Sequence, residues 1–182
     1  ENKTHDKNAT HYLSKTHLSD KVFTLSYDGR EVVQNDGIPD LPMATTAAAG
    51  VLIGNKIYVS GGDVGKGATK NFWVLNLAAV KLEWRELPAW DGPARTHHLA
   101  VAQHDGIEVC LFIFSGRAKL NGKWVLHRDA HKYSPSKNRW TKLGGIKVKG
   151  DVDLRCVMAG MGIAQGANHI VVFGGADGER FL

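Results

Sequence analysis

Three pairs of small residues, each ending an apolar run, constrain the fold of this chain more than any other feature. The pairs are Gly61-Gly62, Ser115-Gly116 and Gly174-Gly175, and successive pairs are 54 and 59 residues apart. A Trp follows each of the first two pairs, and these residues, Trp84 and Trp140, are 56 apart. A period near 50 residues indicates a repeat architecture. One small sheet cannot bury both of its faces, so the repeats must stack around an axis.

Between these pairs the chain reads as short strands joined by tight turns. Four hairpins are predicted: Lys21–Tyr27 with Glu31–Val33, Val51–Ile53 with Lys56–Ser60, Leu99–Gln103 with Glu108–Phe114, and Met161–Ala164 with His169–Phe173. Asp28-Gly29 in the first hairpin is a turn signal in which both residues would need positive φ. Since no segment keeps a 3.6-residue period, the sequence predicts an all-β chain.

The second unit carries the fullest form of the repeat. It reads Phe112-Ile113-Phe114-Ser115-Gly116, then Tyr133-Ser134-Pro135, then Trp140. This doublet–Tyr–Trp order resembles the kelch repeat, which implies β-propeller blades made of four-stranded antiparallel sheets. The doublet would end the second strand, where the backbone turns sharply and neighbours approach closely. The Trp would lie on the outermost strand and pack between blades. An unrelated β-sandwich with turn glycines is the alternative.

The repeat divides the chain into five segments. They are a polar N-terminal segment at 1–20, the outer hairpin of a preceding blade at 21–40, and kelch repeats at 41–88, 89–144 and 145–182, the last of them truncated. Propellers close with about four to eight blades. We therefore expect a fragment that forms about half of a six-bladed ring. An open half-ring exposes apolar blade faces, which favours self-association.

Composition and charge restrict the partners. A formal net charge of +5 and a pI near 9.2 favour anionic partners. The basic residues are scattered, without a recognition helix, zinc finger or RNP-like motif, so nucleic acid is not expected. No apolar run approaches the roughly 20 residues that span a bilayer, so a membrane role is not expected either. Cys110 and Cys156 lie in apolar runs and are predicted to be small buried residues, with a disulfide as the alternative.

Three stretches carry a narrower resemblance: Leu41–Gly50 (LPMATTAAAG), Lys70–Leu77 (KNFWVLNL) and Trp90–Arg95 (WDGPAR). They are similar to the N-acetylneuraminate epimerases, or sialate mutarotases, and especially to the cyclically permuted subgroup. The similarity runs from about Lys21 to the C-terminus. It implies a bacterial isomerase that interconverts the α and β anomers of N-acetylneuraminate, a small anionic sugar, with no metal or redox cofactor. It also implies a periplasmic or secreted location.

The implied reaction needs a base at the anomeric hydroxyl, an acid at the ring oxygen and a cation for the substrate carboxylate. The predicted innermost strands, which line a propeller's channel, are Thr45–Leu52, Arg95–Ala102 and Arg155–Gly162. Arg95 and Arg155 begin two of them, 60 residues apart, and are candidate substrate-binding residues on one rim. The alternative is that these arginines tie neighbouring blades together by hydrogen bonds.

Further candidates follow from strand alternation and from the doublets. Alternation would place His97 on the same face as Arg95, which makes His97 a candidate acid–base residue, with a hydrogen-bonded structural role as the alternative. Arg117 follows the second doublet and is a candidate substrate-binding residue at the channel mouth, where Asp63 is also expected. Glu179, the only glutamate in a post-doublet loop, lies beside Arg180, and it is a candidate catalytic residue. The alternatives are that these loop charges are merely solvated and that the general base lies in blades outside this chain.

Two other functions remain open. Many kelch domains are non-enzymatic modules, and the predicted loop Lys119–Asp129, with an exposed Trp124, would suit binding of a protein or glycan. A copper-radical oxidase of the galactose oxidase type needs Tyr, His and Cys ligands on the axis, and this sequence does not supply that set. Clustered arginines with a carboxylate or His around a polar pocket would favour the mutarotase, whereas an apolar or aromatic rim would favour the binding module.

Overall fold

The computed structural model describes residues 17–146 and 159–176, and the regular secondary structure in them consists of β-strands. The strands form antiparallel sheets of two or four members. Within the described residues, no helix is long and apolar enough to cross a membrane. The all-β fold class predicted from the hairpin signals is therefore confirmed.

The strands form two four-stranded sheets and three hairpins. Strands β1 (Thr24–Tyr27) and β2 (Val32–Asn35) pair with each other, and β3 (Ala49–Ile53), β4 (Lys56–Ser60), β5 (Phe72–Asn76) and β6 (Trp84–Glu86) form the first large sheet in that order. Next come β7 (Leu99–His104), β8 (Val109–Phe114), the hairpin β9 (Arg117–Leu120) and β10 (Lys123–Leu126), β11 (Ala130–Ser134) and β12 (Arg139–Leu143). The second large sheet has the order β7-β8-β11-β12. A last hairpin pairs β13 (Met161–Gln165) with β14 (His169–Phe173). Each large sheet is a meander, as predicted for a kelch-type blade.

The predicted loop Lys119–Asp129 is not a loop throughout. Most of it belongs to the β9–β10 hairpin, in which Lys123 pairs with Leu120 and Leu126 with Arg117. The sequence does signal this turn, because Asn-Gly is a typical dipeptide of two-residue hairpin turns. Asn121 and Gly122 both adopt the positive φ that such a turn needs, 50° and 80°. The second blade therefore carries a small ordered arm between its second and third strands.

The turns at Asp28-Gly29 and Asp105-Gly106 are built differently from the predicted two-residue turn. In each pair only the Gly has positive φ, 98° at Gly29 and 100° at Gly106. Oδ1 of Asp28 accepts two backbone N–H groups of its turn at 2.9 and 3.0 Å, and Oδ1 of Asp105 does the same. The prediction that both residues of Asp28-Gly29 need positive φ is wrong because the Asp side chain caps a longer turn.

The doublets take left-handed backbone at the end of the second strand of each unit. φ is 60° and 97° in the Gly61 pair, 60° and 82° in the Ser115 pair, and 67° and 97° in the Gly174 pair. Close approach is also present, because a Cβ on Gly116 would lie 2.6 Å from Cβ of His98 and 2.8 Å from the carbonyl oxygen of Thr96. Sharp turning and close contact are both as the sequence predicts for these positions.

Each of the two four-stranded sheets carries a Trp on its outermost strand. The ring of Trp140 on β12 lies 4.9 Å from the ring of Phe72 on β5 of the neighbouring blade, so its predicted place between blades is confirmed. Its indole N–H donates to the carbonyl oxygen of Pro88 at 2.8 Å, and Trp84 on β6 makes the equivalent bond to Pro39 at 2.8 Å. The apolar core between the two blades consists of Tyr58, Phe72, Val74, Leu87, Trp90, Leu111, Ile113 and Tyr133.

Replacing Gly116 by Ala should destabilise the fold more than the same change at Gly122. Both residues have similar φ, 82° and 80°, so each variant bears the left-handed strain of about 1–2 kcal/mol. Gly116 also meets Thr96 and His98, whereas nothing lies within 4 Å of a Cβ on Gly122. In denaturant titrations we expect a loss of about 1 kcal/mol for G122A and of more than about 3 kcal/mol for G116A. Equal losses would mean that the doublet requires backbone freedom alone.

Candidate functional site

Strands β3, β7 and β13 are the innermost strands of their sheets, and β7 packs between the other two. The first two begin at Ala49 and Leu99, so the predicted starts at Thr45 and Arg95 are four residues too early. The backbone before these strands is not continuously extended, and this changes which side chains can face the channel.

A left-handed residue precedes each inner strand by two positions. φ is 51° at Ala47, 56° at His97 and 55° at Ala159. A residue in this conformation interrupts an extended strand, so the period-2 alternation of faces does not run through it. The prediction that Arg95 and His97 share a face by alternation is therefore wrong.

These three residues are joined from blade to blade by backbone hydrogen bonds. The N–H of His97 donates to the carbonyl oxygen of Ala47 at 3.0 Å, and the N–H of Ala159 donates to that of His97 at 2.9 Å. Together they define what we call the channel rim. They are 50 and 62 residues apart. Arg155 lies outside the described residues, so its predicted equivalence to Arg95 stays a prediction.

A cavity of about 410 Å³ opens between the starts of the inner strands. Its volume lies within the range of small-molecule sites. Most of the lining residues are small, and two histidines stand among them; the lining consists of Ala47, Ala48, Ala49, Gly50, His97, His98, Leu99, Ala100, Ala159, Gly160, Met161 and Gly162. The small side chains leave backbone at the wall, so His97 and His98 supply the ionisable chemistry of this lining.

His97 is half-buried at the rim, and its Nδ1 lies 3.1 Å from the hydroxyl of Thr96. Burial is the main cause that lowers the pKa of His97, and the positive charge of Arg117 lowers it further, while Asp63 opposes the shift. The imidazole is therefore neutral at pH 7 and has the capacity to accept a proton there.

Arg117 and Asp63, each following a doublet, lie beside this rim as the sequence predicts for them. The N–H of Arg117 donates to the carbonyl oxygen of Thr96 and the N–H of Thr96 donates to that of Arg117, both at 2.9 Å. Asp63 and Thr46 form the matching pair of bonds in the first blade at 2.8 and 2.9 Å. The guanidinium of Arg117 stacks on the ring of Trp124, with Cζ 4.0 Å from the ring centre.

Arg95 does not face the cavity. Its side chain is fully buried, its Nη2 lies 2.6 Å from Oδ2 of Asp129, and its Nη1 donates to the carbonyl oxygen of Ser115 at 3.1 Å. The backbone of Arg95 joins the two blades, because its N–H donates to Thr69 and its carbonyl oxygen accepts from Gly62. This placement fits the alternative of a structural tie, and it does not fit the prediction that Arg95 offers its guanidinium to a substrate.

Sequence reasoning missed the partners of Arg95. Oδ2 of Asp129 also lies 2.6 Å from Nε2 of the buried His131, and His127 lies 3.1 Å from the carbonyl oxygen of Ala94. Burial raises the pKa of Asp129, but its bonds to His131 and Arg95 outweigh that effect and hold it below its usual value. The available signal was the spacing of His127, Asp129 and His131, which recur every second residue.

His98 points away from bulk water into the first blade. Its Nε2 lies 2.9 Å from the hydroxyl of Ser60, and it is almost completely buried. Burial, with the nearby charge of Arg95, lowers the pKa of His98 to about 3. His98 is therefore a neutral structural residue, whereas His97 keeps access to the cavity.

The remaining candidates stay predictions. Glu179 and Arg155 lie outside the described residues, as does Cys156. Cys110 is buried with a free thiol, as predicted, and burial raises its pKa to about 11. Among the described residues, no group of three or more His, Cys, Asp and Glu side chains is arranged to hold a metal ion.

Comparison with known proteins identifies relatives. A family model described as N-acetylneuraminate epimerase matches residues 38–181. The N-acetylneuraminate epimerase of Pasteurella multocida is 34% identical over 159 residues, covering 87% of this chain and 38% of that protein. The enzyme of the same name from Haemophilus influenzae is 30% identical over 140 residues, covering 76% of this chain and 33% of that protein. The chain therefore spans about a third of the length of these curated relatives.

A solved structure, that of YjhT, shares the architecture. The two match with a TM-score of 0.61 at 24% identity, over 76% of this chain and 36% of that chain. The likeness is one of fold, and it agrees with the arrangement of the two four-stranded sheets as propeller blades.

Replacing Asp129 by Asn should destabilise the fold strongly. The change leaves the guanidinium of Arg95 buried without a counter-charge, which typically costs about 3–5 kcal/mol. Asp40→Asn is the control, because Asp40 pairs with Lys21 on the surface, where such a pair contributes about 1 kcal/mol or less. Denaturant titration measures both. A loss at Asp129 as small as that at Asp40 would show that Arg95 is stable without its partner.

The neutral, buried His98 should make the fold less stable in mild acid. Its pKa in the folded chain is about 3 against an ordinary 6.5, so between these values the unfolded chain binds a proton that the folded chain excludes. The free energy of unfolding then falls as pH falls, by up to about 1.4 kcal/mol per pH unit. His98→Gln should reduce the proton uptake on unfolding between pH 6 and 5 by about one. An unchanged value for His98→Gln would contradict this account.

Proposed function

This chain belongs to the N-acetylneuraminate epimerase family, and on that premise we propose that its blades form part of an enzyme that interconverts the α and β anomers of N-acetylneuraminate. The substrate is a small anionic sugar. The proposed site is the channel rim around His97, at the mouth of the cavity between the inner strands. The periplasmic or secreted location expected from the sequence belongs to the same proposal.

One observation carries this assignment: a neutral imidazole lines the cavity beside an arginine that has no counter-ion among the described residues. His97 lines the cavity, and burial and Arg117 both lower its pKa. No ion pair within the described residues involves Arg117. A base that is uncharged at pH 7 and a fixed cation nearby are suited to removing a proton from a substrate that carries a carboxylate.

The contacts of Thr96 favour one tautomer of His97. The hydroxyl of Thr96 lies 3.4 Å from the carbonyl oxygen of Ala47, which can only accept a hydrogen bond. When the hydroxyl donates to that carbonyl, its oxygen accepts from Nδ1–H of His97 at 3.1 Å. Nε2 then carries the free lone pair, so we assign Nε2 as the basic atom.

In the proposed reaction, Nε2 of His97 takes the proton of the anomeric hydroxyl while an acid protonates the ring oxygen. The bond between the anomeric carbon and the ring oxygen breaks, giving the open-chain keto acid. Rotation about the carbon–carbon bond next to the carbonyl turns its other face toward the former ring oxygen, which then attacks the carbonyl carbon. The new anomeric oxygen takes the proton back from His97, and the attacking hydroxyl returns its proton to the acid. Arg117 binds the carboxylate that is attached to the anomeric carbon. Glu179, the acid–base candidate from the sequence, lies outside the described residues and stays a prediction. Since no electrons are transferred, proton-carrying groups and a cation suffice.

His97→Gln should slow anomer exchange by at least about 100-fold, which is the lower end of the contribution of a general acid–base residue. The measurement follows freshly released α-N-acetylneuraminate by proton NMR with the full-length protein that contains this chain. The wild type should equilibrate the anomers faster than a protein-free control. His169→Gln is the matched control, because this exposed His lies at the opposite end of the last hairpin.

The pH profile provides the second readout. Activity should fall as pH decreases through the pKa of His97. The midpoint should lie below 6.5, because burial and Arg117 lower the pKa of His97 from that ordinary value. A wild-type rate equal to the protein-free control, in a folded protein, would overturn the proposed function and leave a non-enzymatic binding module. A wild-type rate above the control with an unaffected His97→Gln would overturn the role of His97 alone.

A further inference from the structure

The hairpin β9–β10 brings an aromatic ring over the arginine of the channel rim. Trp124 pairs directly with Lys119, so Arg117 is its diagonal neighbour on the same face of the hairpin. Cζ of Arg117 lies 4.0 Å from the ring centre, within the range of a cation–π contact. The ring of Trp124 is nevertheless 52% exposed. The contact therefore comes from the register of the hairpin and not from burial in a core.

Stacking fixes which part of the guanidinium can meet a ligand. The indole covers one face of the Arg117 group, while hydrogen bonds form in the plane of the group, at its edges. Nε of Arg117 is shielded from solvent and has no hydrogen-bond partner. The edge that remains is the one formed by the two terminal nitrogens, Nη1 and Nη2. A carboxylate can receive two parallel N–H bonds from that edge.

Arg117 lies close to the proposed base. The backbone of Arg117 is bonded in both directions to Thr96, the residue before His97. The charge of Arg117 reaches the imidazole, because it contributes to lowering the pKa of His97. Thr96 and His97 therefore lie beside Arg117, to which Thr96 is joined by two backbone hydrogen bonds.

We propose that Trp124 is a positioning residue that holds Arg117 against its ring so that Nη1 and Nη2 bind the carboxylate of an acidic sugar end-on. This inference rests on the proposed function and adds to it the geometry of the anion subsite. It also assigns a role to the β9–β10 arm, which lies outside the four-stranded sheet. The exposed Trp124 then recognises no ligand itself, and its effect passes through the cation it supports.

The test compares two sugars that cannot exchange anomers. They are 2-O-methyl-α-N-acetylneuraminate and its carboxyl methyl ester, which lacks the negative charge, and calorimetry with the full-length protein measures their affinities. A surface cation–π contact is worth roughly 0.5–1 kcal/mol. Trp124→Ala should therefore weaken binding of the acid about two- to fivefold and leave the ester unchanged. Trp124→Phe, which keeps an aromatic face, should restore most of the preference for the acid.

Two further variants distinguish an effect on the charge of Arg117 from a general effect on the hairpin. Arg117→Gln should abolish the preference for acid over ester, because it removes the charge that distinguishes them. Val125→Ala alters the next residue, on the opposite face of the same hairpin, and should change neither affinity. Thermal unfolding of each variant checks that the hairpin change leaves the fold intact.

Three outcomes would overturn the inference. Equal weakening of acid and ester in Trp124→Ala would mean that the indole stacks on the sugar itself, and no weakening of either would mean that Arg117 needs no support. A folded wild type that binds neither sugar would remove the subsite altogether. Because the 2-O-methyl sugars cannot react, their binding is measured independently of catalysis. If Trp124→Ala weakens binding of the acid alone, but the wild type does not speed anomer exchange of free N-acetylneuraminate, the proposed function is overturned and the proposed anion subsite is supported.

Discussion

The close approach of two turns at the channel rim is the constraint on which the rest of the structure depends. The doublet ending the second strand packs against the residues on either side of the left-handed residue, and a Cβ on Gly116 would collide with His98 and Thr96. The same packing sets the backbone bonds from Ala47 to His97 and onward to Ala159. Blade spacing, cavity and rim therefore follow from backbone conformation before any side chain contributes.

Local sequence was sufficient to predict the doublets and four of the hairpins, although not the β9–β10 hairpin, because glycine marks positions where the backbone must turn. It was insufficient for the starts of the inner strands. Ala47, His97 and Ala159 adopt positive φ without being Gly, and the identity of an Ala gives no signal of this conformation. The surrounding bonds from neighbouring blades impose the conformation. An alternation argument carried through His97 was bound to assign faces wrongly.

Arg95 and Arg117 in the second blade show why sequence position predicted one location and missed the other. Arg117 follows a doublet directly, and the doublet fixes its place beside the rim. Arg95 precedes β7, but its environment depends on Asp129, which comes 34 residues later in the sequence. Desolvation of a guanidinium is tolerated where a carboxylate meets it. Arg95 consequently stabilises the fold, and Arg117 stays the candidate cation for a ligand.

An unpaired cation beside a neutral base has a further consequence in the proposed complex. Arg117 lowers the pKa of His97 in the free protein. A substrate carboxylate bound to Arg117 would cancel much of that charge, so the imidazole would become a stronger base when the substrate is present. The coupling is reciprocal, because a protonated His97 would also bind the carboxylate more tightly. Proton abstraction and anion binding are then linked through one short segment of the rim, which ties the chemistry to the charge that identifies the substrate.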